Sequence, residues 1–127
     1  MSLSPDEAQQ LAVILGQITQ HTELEALALV TRDGQRIAFS AVPGYDINPD
    51  HLSSMSAVIL QSGVEAVEKI GYDYLSECVI RGKDSYLVLA AAGRFFLIGA
   101  SRNIQDLGKV VSVFRYYAKK IAESYPQ

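Results

Sequence analysis

The chain has 127 residues, 49% of them hydrophobic and 20% charged, with 11 Lys and Arg against 14 Asp and Glu. That length suits a single domain spanning residues 1–127 that encloses its own core, and the composition excludes a disordered or collagen-like chain. One cysteine, Cys78, excludes an intrachain disulfide, and with only two histidines the chain has little material for a zinc site, so neither a metal nor a cofactor is expected.

Residues 5–21 read as the first helix. Ser4 and Glu7 have the spacing of a reciprocal cap, Pro5 fits the first helical position, and Ala8, Leu11, Leu15 and Ile18 recur at helical spacing. Residues 24–31 are apolar on both alternating sets, which predicts a strand covered on both faces. Asp33-Gly34 predicts a tight turn into a second strand over 35–40, and Pro43-Gly44 marks the loop over 42–48. The second helix is predicted over 49–70, capped by Asn48 and ended by Gly71. Leu52, Met55, Ile59, Gly63, Val67 and Ile70 form a stripe along it, Ala57, Leu60 and Val64 widen the apolar arc to one side, and Ser54, Gln61, Glu65 and Glu68 make its polar face.

Three strands follow. Residues 72–81 are mixed, with Glu77 and Arg81 interrupting, as an edge strand would be. Residues 85–92 and 95–101 are almost wholly apolar and therefore central. The final helix is predicted from a cap at Asn103 to about Tyr125, with Leu107, Val110, Val111, Phe114, Ala118 and Ile121 on its buried side.

The order α-β-β-α-β-β-β-α predicts an α/β/α sandwich around one five-stranded, mainly antiparallel sheet, with two helices on one face and one on the other. Pairing the two most apolar strands at the centre gives the order 2-1-5-4-3 and leaves strand three as a free edge. Such an edge is protected by charge or paired with another chain. With one helix left to cover a whole sheet face and a surplus apolar flank on helix two, a homodimer is expected. Leu60, Val64, Val67, Tyr74, Ser76, Cys78 and Val79 are its candidate interface residues.

Charge is unevenly spread. Residues 1–101 carry six basic and twelve acidic side chains, whereas residues 102–127 carry five basic and two acidic. A mildly acidic chain is not expected to bind nucleic acid. Apolar runs fall far short of a membrane span and the N-terminus lacks a signal-peptide pattern, so a cytoplasmic protein with no integral membrane segment is expected.

The strand pair ALALVTRDGQRIAFS and the segment LVLAAAGRFFLIGASRN leading into the last helix, taken with the element order, resemble the roadblock/dynein light-chain family over essentially the whole chain. The resemblance implies a profilin-like roadblock fold and a homodimer or heterodimer built on strand three and helix two. It also implies a non-enzymatic role as a regulator or scaffold of small Ras-like GTPases, in some members by promoting hydrolysis, or as a dynein-type light chain or membrane-complex adaptor. It supplies no catalytic residues. The partner surface is placed on the polar face of helix two, at Ser54, Gln61, Glu65 and Glu68. A small-molecule sensor is a further alternative, since sandwiches of this kind can hold a ligand between sheet and helix.

The residues themselves favour contact over chemistry. There is neither GxxxxGK[ST] nor GxGxxG, and Gly82-Lys83-Asp84 reads as a turn, so the chain is not expected to hydrolyse nucleotide itself. Cys78 reads as a small apolar residue rather than a nucleophile, the tyrosines as packing residues, and the basic residues of helix three as a solvated face. Arg32, Arg36, Arg81 and Arg94 lie in or beside turns and edges, from which an arginine could reach a GTPase, and the sequence singles out none of them.

Overall fold

The computed structural model describes residues 3–127. Its elements are α1 (Pro5–His21), β1 (Ala26–Thr31), β2 (Arg36–Ala41), α2 (Pro49–Lys69), β3 (Glu77–Arg81), β4 (Tyr86–Ala92), β5 (Phe95–Ser101) and α3 (Leu107–Ser124). The sheet order is β2-β1-β5-β4-β3, antiparallel throughout. The sequence expectation for order and layering holds. β1 and β5 pair at the centre, and β5 is buried along its whole length.

Each sheet face has its own core. On one side Leu27, Leu29, Val88, Ala90 and Leu97 meet Leu11, Leu15 and Ile18 of α1 and Val110, Phe114 and Ile121 of α3. On the other, Ala26, Ala28, Val30, Leu89, Phe96 and Ile98 meet Leu52, Ala57 and Leu60 of α2. Gly99 makes the first core possible at its thickest point, because a Cβ there would lie 2.8 Å from both Leu24 and the Phe114 ring. Close approach also decides Gly93, in the β4–β5 turn. Its φ is +63°, and a Cβ would come within 2.1 Å of the Tyr125 carbonyl, so the end of α3 lies directly on this turn.

Three local expectations need correction. The third strand begins at Glu77 and not at residue 72. Gly71, at φ +84°, ends α2, and residues 72–76 carry the chain to the sheet edge, with Leu75 reaching α2 at Gly63. Tyr74 and Ser76 therefore precede β3. The last helix starts at Leu107, capped by Asp106, whose side chain accepts from the Lys109 N–H. Asn103 instead lies in a connection that other elements hold. The Glu23 carboxylate accepts from the Gln105 and Asp106 N–H groups, and Glu25 forms an ion pair with Arg102.

The third correction concerns the rotation of α2. Its fully buried side is Leu52, Ser53, Ser56, Ala57 and Leu60, while Met55 and Ile70 of the predicted stripe are mostly exposed. The reason is serine. Ser53 donates its hydroxyl to the Pro49 carbonyl of its own helix, which meets its polar requirement without a distant partner. Nearby, Gly34 lets the β1–β2 turn approach the backbone of Ser54. Small, self-satisfied side chains thus let α2 sit close to the hairpin.

Candidate interaction surface

β3 lies at the end of the sheet and pairs with β4 alone, from Glu77 opposite Ala90 to Arg81 opposite Tyr86. Its side chains alternate between the two cores. Cys78 and Ile80 pack on the α2 side, while Val79, opposite Val88, lies on the α1/α3 side and is 37% exposed. Glu77 also lies on the α1/α3 side, where its carboxylate accepts from Arg115 of α3. That guanidinium holds the Glu77 carboxyl below its ordinary range. Arg81, the other charge on the strand, sits over the Tyr86 ring.

Above the opposite face, the flank of α2 nearer β3 and β4 is apolar. Met55 and Ile59 border a cleft of about 440 Å³ that reaches Leu87 of β4. Farther along the helix lie Gly63, Ala66 and the exposed Ile70. Tyr72 and Tyr74 stand out beyond the end of the helix, while Val58, 68% exposed, turns to the other flank beside Ser54 and Glu65. Open apolar side chains so concentrated on one helix and the loop after it are unlike the scattered exposure of an ordinary surface.

The predicted interface residues divide. Leu60 is fully enclosed in the α2 core, which removes it from the surface expected of it. Val64 and Val67 are half-buried on the sheet-facing side of α2. Tyr74, Ser76, Cys78 and Val79 all lie on or just before the open edge. Sequence reasoning misses Met55, Val58 and Ile70 as surface residues, because hydropathy assigns Met55 and Ile70 to a continuous stripe. The two buried serines are the signal that corrects the rotation.

Ser54, Gln61, Glu65 and Glu68 are all exposed and lie on the flank of α2 that faces Arg32, and Glu68 also borders a cleft with Tyr74 and Ala91 of β4. They border shallow clefts shared with Arg32 and, at one end, Gln127. Arg32 is held in place. Its guanidinium donates to the Gly93 carbonyl at 2.7 Å, lies 4.8 Å from the centre of the Phe96 ring, and is pushed below its ordinary pKa by burial. The other arginines are also engaged, Arg36 with Asp50 and Arg94 over Tyr125. Among the described residues no group of acidic, histidine and cysteine side chains has the geometry to hold a metal ion, and no helix is long and apolar enough to cross a membrane.

The pattern of the Roadblock/LC7 domain matches residues 3–101. The chain belongs to the Roadblock/LC7 family. Solved structures agree on the roadblock fold. The gliding protein MglB of Thermus thermophilus superposes with a TM-score of 0.86 at 19% identity, covering 98% of this chain and 95% of that one. MglB of Myxococcus xanthus gives 0.84 at 20% identity, over 100% and 98%. Acanthamoeba castellanii profilin IB gives 0.56 at 17% identity, over 84% and 89%, which marks the wider profilin-like class. No curated protein matches the chain in sequence.

Proposed function

We propose that this roadblock chain is a cytoplasmic, non-enzymatic homodimer that binds a small Ras-like GTPase and regulates or scaffolds it. The observation that carries the reading is the pairing of an open β3 edge with an exposed apolar flank on α2, in a chain of the Roadblock/LC7 family. The homodimer surface is then β3 with Cys78 and Val79, the preceding Tyr74 and Ser76, and the α2 side chains that face the same edge, with Val64 and Val67 beneath them. Burying those apolar groups supplies the driving force, and pairing the edge satisfies backbone groups that otherwise face water.

The polar flank of α2 is the surface proposed for the GTPase. Ser54, Gln61, Glu65 and Glu68 are exposed there, and Glu65 and Glu68 offer two carboxylates to a basic partner. Because Arg32, Arg36, Arg81 and Arg94 are each stacked on a ring or paired, the reading assigns no arginine to the nucleotide. The chain acts by holding the GTPase's own residues.

Sedimentation of the purified chain, then mixing with a cognate GTPase loaded with GTP, tests both parts. A dimer that binds the GTPase, and loses binding in Glu65→Lys/Glu68→Lys, is the expected result. Absence of both binding and any change in hydrolysis overturns the GTPase reading. Capture of a large scaffold with no effect on nucleotide turnover supports the light-chain or adaptor alternative instead. The sensor alternative draws least support, since the clefts are shallow and open to solvent.

A further inference from the structure

Resting on the homodimer reading, we propose that two copies of β3 pair antiparallel with Val79 on the two-fold axis, so that Glu77 of each copy faces the partner's Arg81. Antiparallel neighbours in one sheet are related by a two-fold axis perpendicular to it, which keeps every side chain on its own face. A residue can then stand opposite only itself or a residue an even number of positions away. Three centres are available near the middle of the strand: Cys78, Val79 and Ile80.

Length and charge choose between them. β3 has five residues, Glu77–Arg81. Centring on Val79 pairs every one of them with a residue of the partner strand. Centring on Cys78 pairs only Glu77 to Val79 within the strand, and centring on Ile80 only Val79 to Arg81. The Val79 register also sets the two charges of the strand against each other, twice by symmetry, on the α1/α3 side of the sheet where Glu77 already meets Arg115. Opposite charges directly across a strand pair are favourable, and like charges are not. Glu77 then lies between Arg115 of its own α3 and the partner's Arg81. Val79, half-exposed in the single chain, meets the partner's Val79 on the axis. On the other face Cys78 lies opposite the partner's Ile80, which continues the apolar row formed by Cys78, Ile80 and Leu87.

Disulfide trapping reads the register directly, because directly opposed residues have Cα atoms about 4.5–5.5 Å apart, within the range a disulfide spans. Val79→Cys in a Cys78→Ser background is expected to form a covalent dimer on mild oxidation. The unaltered chain is not, since the two Cys78 residues are offset along the strands. Ile80→Cys with Cys78 retained is expected to cross-link, and Ile80→Cys with Cys78→Ser is not. Cross-linking of the unaltered chain, or failure of Val79→Cys in a chain that sediments as a dimer, overturns the register alone. A monomer in sedimentation overturns the homodimer reading and the register together.

A second measurement avoids cysteine. Arg81→Glu sets like charges opposite each other at two symmetric positions and is expected to raise the dimer dissociation constant about tenfold. Lys83→Glu, the same charge change in the turn beyond β3, is expected to leave it within about twofold. The reverse ranking fits the Ile80 register, in which Glu77 faces the partner's Lys83, and overturns the proposal.

Discussion

The two faces of the sheet are built from the same strands and finished differently. On the α1/α3 face, two helices seal the core with large side chains, Phe114 and Tyr117 among them, and Tyr125 closes its end against Phe95. On the α2 face, a single helix sits close through Ser53, Ser56 and Ala57 and leaves Met55, Val58 and Ile70 in solvent. Where two helices share a face, their apolar sides are consumed within the chain. Where one helix covers a face, closeness is gained with small residues and the larger ones stay in solvent.

That contrast breaks first, if it is wrong, at Phe114. Phe114→Ala empties the centre of the sealed face and is expected to destabilise the protein by about 3–5 kcal/mol, read from the urea midpoint. A loss below about 1 kcal/mol would mean that the face is not the principal core. Ser53→Leu is the converse test on the α2 side. It raises the helix's hydropathy, yet is expected to cost about 1–3 kcal/mol, because there is no room between α2 and the hairpin. A stabilised variant would show that the helix has space to move.

Acid sharpens the comparison at the connection into α3. The Arg102 guanidinium, with the Arg102 N–H and the Ser101 hydroxyl, lowers the Glu25 carboxyl from 4.5 to about 2. A lowered carboxylate stabilises the folded state fully above its unfolded value. The contribution is lost as pH falls from about 4.5 towards 2. Over that interval the urea midpoint is expected to fall more steeply in the unaltered chain than in Glu25→Gln. Equal slopes would remove the ion pair from the account. The smallest expected effect on the single chain is that of Met55→Asp. This exposed position on the β4-facing flank of α2 should change monomer stability by no more than about 0.5 kcal/mol, while sedimentation shifts towards the monomer. A large loss of stability would place Met55 in the core.

How much is legible in the sequence follows from where the deciding forces act. The strand order can be read because residues 26–31 and 95–101 are apolar on both alternating sets, which demands cover on both sides and hence the centre. The first helix can be read to the residue because its reciprocal cap is local: Ser4 accepts from the Glu7 N–H, and Glu7 from the Ser4 N–H. The start of α3 cannot, since the carboxylate that holds its approach comes from Glu23, about eighty positions away. Tyr72 and Tyr74 have the alternation of a strand, but pairing with β4 begins only at the end of that segment, where the Ala91 N–H meets the Ser76 carbonyl. On α2, Leu60 reads as surplus and Met55 as core, because a hydropathy pattern treats a serine bonded to its own helix as a surface residue. The open edge, by contrast, is visible in Glu77 and Arg81.

The pairing of β1 with β5 has a consequence for the order of events in folding. β1 with β2, and β3 with β4 and β5, are hairpins whose partners lie close in sequence, whereas Ala26 must find Ala100 across most of the chain. Loop closure makes that last pairing the slow one. Neither core can be completed until it occurs, so the β3 edge stays open to other chains while the sheet is incomplete. The charges on Glu77 and Arg81 guard that edge during this interval. In the proposed dimer the same two charges would also select the partner strand.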